Sequence, residues 1–182
     1  MLRWIARRRL AAFENAFGYN ASYMYEMLDV SWPAFLRFSQ AAKLAQHRED
    51  VPLDAWHAVK IAAVLAEDCG PCTQLVVAMA EAEGVSMGVL RGILEGDEAA
   101  MGQDAALAWR FAHAVLAHHP RADSLREQVI ACWGKRGLLS LALAMSASRL
   151  FPSVKYALGH AHACTRIRVG DAEMRPVHHI PA

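Results

Sequence analysis

Apolar residues return at three- and four-residue steps along most of the chain, and the stripes break at glycine, proline and polar clusters. Trp4, Ile5, Leu10, Phe13 and Phe17 form the first stripe, ended by Gly18-Tyr19-Asn20. Tyr23, Met24, Met27 and Leu28 form the second, which runs to Trp32-Pro33. Ser31 is placed to cap a third helix over Ala34 to Gln46, with Pro33 in its first turn, where a missing N–H costs little. His47 to Pro52 is a polar connector. It divides an N-terminal helical appendage, 1–50, from a main helical domain, 51–165.

From Asp54 the helical signal strengthens. Ile61, Leu65, Cys69, Cys72, Val76 and Met79 share one face, so the two cysteines are expected to be semi-buried. Gly70-Pro71 argues against one continuous helix, because an interior proline costs about 3 kcal/mol. One helix ending near Asp68 and another starting at Pro71 is the cheaper arrangement, leaving Cys69 just ahead of a helix N-terminus. Further on, Ser86 is placed to cap a short helix ended by Gly96, and another runs from Asp104 to His118. Ser124-Leu125-Arg126-Glu127 reads as a capping box opening a helix to Gly134. Leu138 to Leu150 is apolar on nearly all sides and is expected to be the central buried helix. A last helix, Val154 to Cys164, follows Pro152, and 166–182 reads as a loose tail.

Composition agrees with an all-α class. The 182 residues are 55% hydrophobic, rich in alanine, leucine, glutamate and arginine, with no run of β-branched residues. Nineteen basic against 18 acidic residues leave a net charge of +1, which argues against nucleic acid as a partner. Charges interrupt the first nine residues before any secretory core forms, and the longest apolar stretch, 137–147, is short of a membrane span. A soluble, cytoplasmic protein is expected. The first stripe carries Arg3 and Arg7 to Arg9 between its apolar positions, the pattern of a basic helix on an anionic membrane. A helix docked on its own domain or on a neighbouring subunit gives the same pattern, and is the preferred reading.

The candidate chemistry sits at Glu67-Asp68-Cys69-Gly70-Pro71-Cys72. Two thiols at this spacing close a disulfide, bind a soft metal, or simply pack. A helix N-terminus favours the thiolate, the reactive form, and a second thiol nearby resolves the first product. Glu67 is the expected acid–base group, with Asp68 more simply a solvated helix end. Cys-Gly-Pro-Cys is also the thioredoxin tetrapeptide, but no strand pattern precedes Cys69. His160, His162 and Cys164 form the other dense polar cluster. His160 is the second proton-transfer candidate, with a core histidine as its alternative. Cys69, Cys72, His160 and Cys164 together would suit zinc, although no metal site is the preferred reading. His118-His119 and His178-His179 are expected in solvent, and Cys132 as an inert core thiol.

The run Ala58-Val59-Lys60, then Ala66 to Cys72, then Ala80-Glu81-Ala82-Glu83-Gly84-Val85-Ser86, resembles the carboxymuconolactone decarboxylase/alkylhydroperoxidase D superfamily. So does Asp104 to Leu116 with its Ala-Trp-Arg-Phe-Ala core, and the likeness covers roughly 52–159. It implies an alkylhydroperoxidase D-like helical bundle that assembles as a trimer or hexamer. In the redox branch it implies a dithiol reducing small peroxides or disulfides, with no bound cofactor and electrons from a lipoyl group or another thiol. By that resemblance Cys72 attacks and Cys69 resolves. Two positions depart from the pattern: Val76 stands where the family has a histidine, and His57 where it has a glutamate. A non-redox decarboxylase-like enzyme and a non-catalytic assembly module are the alternatives.

Overall fold

The computed structural model describes residues 1–161 and 166–177. The described residues form eight helices and a short hairpin: α1 (Leu2–Phe17), α2 (Ser22–Val30), α3 (Trp32–Leu44), α4 (Leu53–Ala66), α5 (Gly70–Glu83), α6 (Met87–Glu95), α7 (Glu98–Leu116), α8 (Ala122–Ala157), β1 (Ile167–Val169) and β2 (Ala172–Met174). The mostly helical class expected from composition is what folds.

The axis of the molecule is α4, which packs against α5, α6, α7 and α8. Residues 55–65 are buried without a gap. Ala55, Ala58, Ala62 and Ala63 explain how, since small side chains let neighbouring helices approach on every side. This helix, rather than the stretch from Leu138 to Leu150, is the central one. Leu139 and Leu150 of α8 are exposed.

Several ends follow from local chemistry. The Ser31 hydroxyl accepts from the Ala34 N–H and the Ser86 hydroxyl from the Val89 N–H, each capping its helix as expected. Ser124 does not cap: its hydroxyl donates to the Arg121 carbonyl. Asp97 caps α7 nearly two turns before the expected start at Asp104, and Gly102, at φ 74°, absorbs the resulting break. Gly134, at φ 66°, does the same inside α8.

α8 runs through Pro152 instead of stopping there. The lost hydrogen bond is offset by packing: Phe151 meets Phe38 edge-on at 5.2 Å, and Val154 lies against the Tyr19–Tyr23 cluster. Buried Lys155 sits 4.5 Å from the centre of the Tyr19 ring. By length and composition α8 is long enough and apolar enough to cross a membrane, because its average hydropathy qualifies where no unbroken apolar run does. Here its inner side packs on α4 and α7.

The N-terminal helices keep small clusters of their own, Leu10, Leu28 and Phe35 in one and Tyr19, Ala21 and Tyr23 in the other. The second reaches Leu75 of α5 as well as Val154. Residues 166–177 are no loose tail. Ile167 and Val169 are buried, and Gln74 of α5 holds β1 like a neighbouring strand, accepting from the Arg168 N–H at 2.8 Å and donating to its carbonyl at 2.9 Å. Cys132 is exposed rather than in the core.

Candidate functional site

Cys69 and Cys72 are joined as a disulfide at the turn between α4 and α5, with Cα atoms 5.3 Å apart, ordinary for such a bond. α4 ends at Ala66, Asp68 takes the left-handed conformation at φ 49°, and Cys69 is the N-cap of α5. Gly70 and Pro71 then fill the first turn, as the chain's aversion to an interior proline requires. The Cys69 carbonyl accepts from both the Thr73 N–H, at 2.9 Å, and its hydroxyl, at 3.0 Å. Cys72 therefore lies one turn into the helix, at the positive end of its dipole.

The cysteines are more deeply covered than their semi-buried expectation: Cys69 is 0% and Cys72 3% exposed. α5 is flanked on one side by the tyrosine cluster over Leu75 and on another by the hairpin on Gln74 and Glu81.

Three side chains from the last turns of α8 tie down the loop before Cys69. Arg149 Nε donates to Glu67 Oε1 at 2.5 Å and the Ser153 hydroxyl to Glu67 Oε2 at 3.2 Å. Tyr156 Oη donates to the Asp68 carbonyl at 2.7 Å. Both oxygens of Glu67 are thus engaged, which ties the loop to α8. Arg149 and Ser153 also line a groove of about 380 Å³ between α7 and α8, along with Val115, His118 and Met145. Neither cysteine lines it.

His160 is placed elsewhere. It lies past the end of α8, with Nδ1 2.9 Å from the Ser22 hydroxyl and Nε2 2.6 Å from Glu26 Oε2. Both ring nitrogens face α2. His162, Cys164 and the His178-His179 pair lie outside the described residues. The set that would suit zinc is therefore not gathered among the described residues: two members are bonded to each other and His160 is occupied.

A second polar cluster, at the far end of the α4–α5 helical hairpin, is one that sequence reading missed. His57 is fully buried, its Nε2 3.1 Å from Glu83 Oε2 and its Nδ1 without a partner. Lys60, one turn on, is buried with Nζ 3.9 Å from the centre of the Trp56 ring. Burial first, and then the Lys60 charge, push His57 down to about 4, partly opposed by Glu83. Burial likewise pushes Lys60 down to about 8. His57 and Lys60 stand out as the polar positions inside an apolar run, a signal available beforehand. Glu83, 26 residues away, gives no such signal.

This cluster is distant from the sulfurs. Glu83 lies eleven positions beyond Cys72 on α5, roughly 16 Å along a helix at about 1.5 Å per residue. Val76, one turn beyond Cys72, fills part of the interval with a buried aliphatic side chain. Compared with known proteins, the chain matches no family model, no curated protein and no solved structure.

Proposed function

We propose that the protein is a thiol–disulfide oxidoreductase that cycles between a Cys69–Cys72 dithiol and disulfide. The single observation that carries this reading is the pair's position: bonded to each other across the first turn of α5, beside a loop held by three side chains of α8. A helix N-terminus stabilises negative charge on sulfur, and the resolving thiol is already within bonding reach.

In the reductive half-cycle the Cys72 thiolate attacks a substrate disulfide or the outer oxygen of a hydroperoxide. With a peroxide, the O–O bond breaks, Cys72 becomes a sulfenic acid, and the alkoxide leaves as the alcohol after taking one proton. Cys69 then attacks that sulfur, releasing water and closing the disulfide. Two thiols are oxidised and one peroxide is reduced by two electrons. A small dithiol of the lipoyl class, or another thiol, returns the electrons. The assignment of Cys72 as attacker and the peroxide or disulfide substrate class rest on the resemblance to the alkylhydroperoxidase D superfamily, as do the helical-bundle family and a trimeric or hexameric assembly. Among the described residues Glu67 is engaged by Arg149 and Ser153, and His57 and His160 are paired elsewhere. Disulfide exchange, whose leaving thiolate needs less proton assistance, therefore fits this geometry better than peroxide reduction.

Burial favours a second reading, in which the bond is a structural staple. Its value as a staple is small, because closing so short a loop contributes only about 2 kcal/mol.

The experiment uses a Cys132→Ser/Cys164→Ser background, so that no other thiol reports. The reduced protein is mixed with one equivalent of oxidised lipoamide or of an alkyl hydroperoxide, and free thiols are alkylated and weighed. Loss of both thiols with one equivalent of product is expected, and Cys69→Ser should trap a mixed disulfide on Cys72. Two thiols persisting in a folded protein after both oxidants would sink the reading and leave the staple.

A further inference from the structure

The two sides of α1 meet different surroundings. Leu10, Phe13 and Phe17 turn toward the N-terminal clusters, whereas Trp4, Ile5 and Arg8 lie on the opposite side of the helix. Trp4 is 59% and Leu2 67% exposed. α1 and α2 run antiparallel, since Arg7 pairs with Asp29 and Tyr25 Oη donates to Glu14. The start of α1 therefore stands beside the end of α2, where Val30 is 80% exposed. Leu2, Trp4, Ile5 and Val30 thus project at one end of the N-terminal unit.

The charge at this end is one-sided. Arg3, Arg7, Arg8 and Arg9 fall within the first twelve residues and no acidic residue does, so the remainder of the chain is net acidic. Asp29 is paired with Arg7. The Arg8 guanidinium lies over Trp4, 4.9 Å from the ring centre, while Arg3 and Arg9 are exposed and make no ion pair among the described residues.

We infer that this end of the N-terminal unit docks on an anionic lipid bilayer. Leu2, Trp4, Ile5 and Val30 seat at the headgroup–acyl boundary, the level that suits an indole, and Arg3, Arg8 and Arg9 meet lipid phosphates. A symmetric pairing of two such ends is disfavoured, because it would bring an equally basic tip against this one. Nucleic acid would leave the aliphatic side chains unused. The inference is independent of the dithiol chemistry. It gives the docked helix a second contact, on the side away from its own domain.

The test is co-sedimentation of the full chain with large vesicles of phosphatidylcholine alone, or with about a third phosphatidylglycerol. Binding to the anionic vesicles should exceed binding to the neutral ones at least tenfold and collapse in 0.5 M salt. Trp4→Ser/Ile5→Ser should lose at least tenfold, and Arg3→Gln and Arg9→Gln about fivefold each, the effect of one basic residue near an anionic surface. Circular dichroism should be unchanged, since all four side chains are exposed. If the apolar pair lost its helical signal, the arginine variants would decide. Equal binding to both vesicle types, or full binding by either set of folded variants, would overturn the inference. So would a dimer in light scattering that depends on Trp4 while vesicles are ignored.

Discussion

At one end of the α4–α5 hairpin two covered sulfurs are joined, and the loop that presents them is held by Arg149, Ser153 and Tyr156 of α8. At the other end, about 16 Å along α5, a fully buried His57 faces Glu83, and Lys60 is pressed on the Trp56 ring. The first end places its polar groups at the edge of the core, where each has a partner, and keeps the two sulfurs covered. The second puts two bases inside the core, with one partly exposed carboxylate for both. Buried ionisable groups are costly, so the second end should dominate the response to pH and the first the response to oxidants and reductants. The buried bases and the disulfide are separated along one hairpin.

The largest effect that would break this comparison is in the pH dependence of stability. His57 stays neutral in the fold down to about pH 4, while in the unfolded chain it protonates near 6.5. Between these values the unfolded state binds more protons, so stability should fall as pH drops from 6.5 toward 4, by on the order of 3 kcal/mol. Lys60 loses its proton near 8 in the fold and near 10.5 when unfolded. Stability should therefore rise as pH climbs from 8 to 10.5, by a similar amount. Chemical denaturation across pH measures both limbs. His57→Leu should flatten the acid limb. Lys60→Met should flatten the alkaline limb and move the acid one upward, because the Lys60 charge helps hold His57 neutral. If the slopes survived both substitutions, the second end would not be the pH-responsive part of the hairpin.

Local rules made much of the dithiol end legible. Gly70-Pro71 forces the break between α4 and α5, and that break places Cys69 at the N-cap. Ser31 and Ser86 cap because a hydroxyl three residues before a free N–H needs no long-range help. What escaped was set by tertiary partners. Glu67 reads as a free acid until Arg149 and Ser153 arrive from 82 and 86 residues away. His160 reads as a neighbour of Cys69 until α8 continues through Pro152 and hands it to Ser22 and Glu26. The hairpin over 167–174 has three-residue strands, too short to show alternation, and is held by Gln74 of α5. Cys132 beside Trp133 matches a core pattern, yet the helix turns it outward.

A middle-sized effect sharpens the role of the loop ties. Arg149→Met removes a partly exposed ion pair, so global stability should change by less than about 1 kcal/mol. The local consequence is larger. Glu67 keeps only the Ser153 hydroxyl, the turn at Asp68 opens more often, and the covered sulfurs meet reagent more readily. The rate of disulfide reduction by dithiothreitol should rise several-fold, read as thiol appearance at fixed pH. A rate equal to that of the parent protein would mean that the ties do not govern access, and that the cover on α5 does.

The smallest effect belongs to Glu83→Gln, which leaves the shape of the second end and removes the carboxylate that faces His57. The Glu83 side chain is 46% exposed, so its pair with His57 is solvent-screened and should contribute less than about 1 kcal/mol at neutral pH. Its charge matters more to where the limbs lie. Glu83 opposes the downward shift of both His57 and Lys60. Without it both bases should lose their protons at lower pH in the fold, so the acid limb should extend below pH 4 and the alkaline limb begin below pH 8. A denaturation series at half-unit pH steps resolves this displacement even where the midpoint stability barely changes. The same variant should leave the dithiothreitol rate unaltered, because no contact joins Glu83 to the loop at Glu67. An altered rate with unmoved limbs would reverse the assignment of the two ends, and would make the hairpin one coupled unit rather than two separated ones.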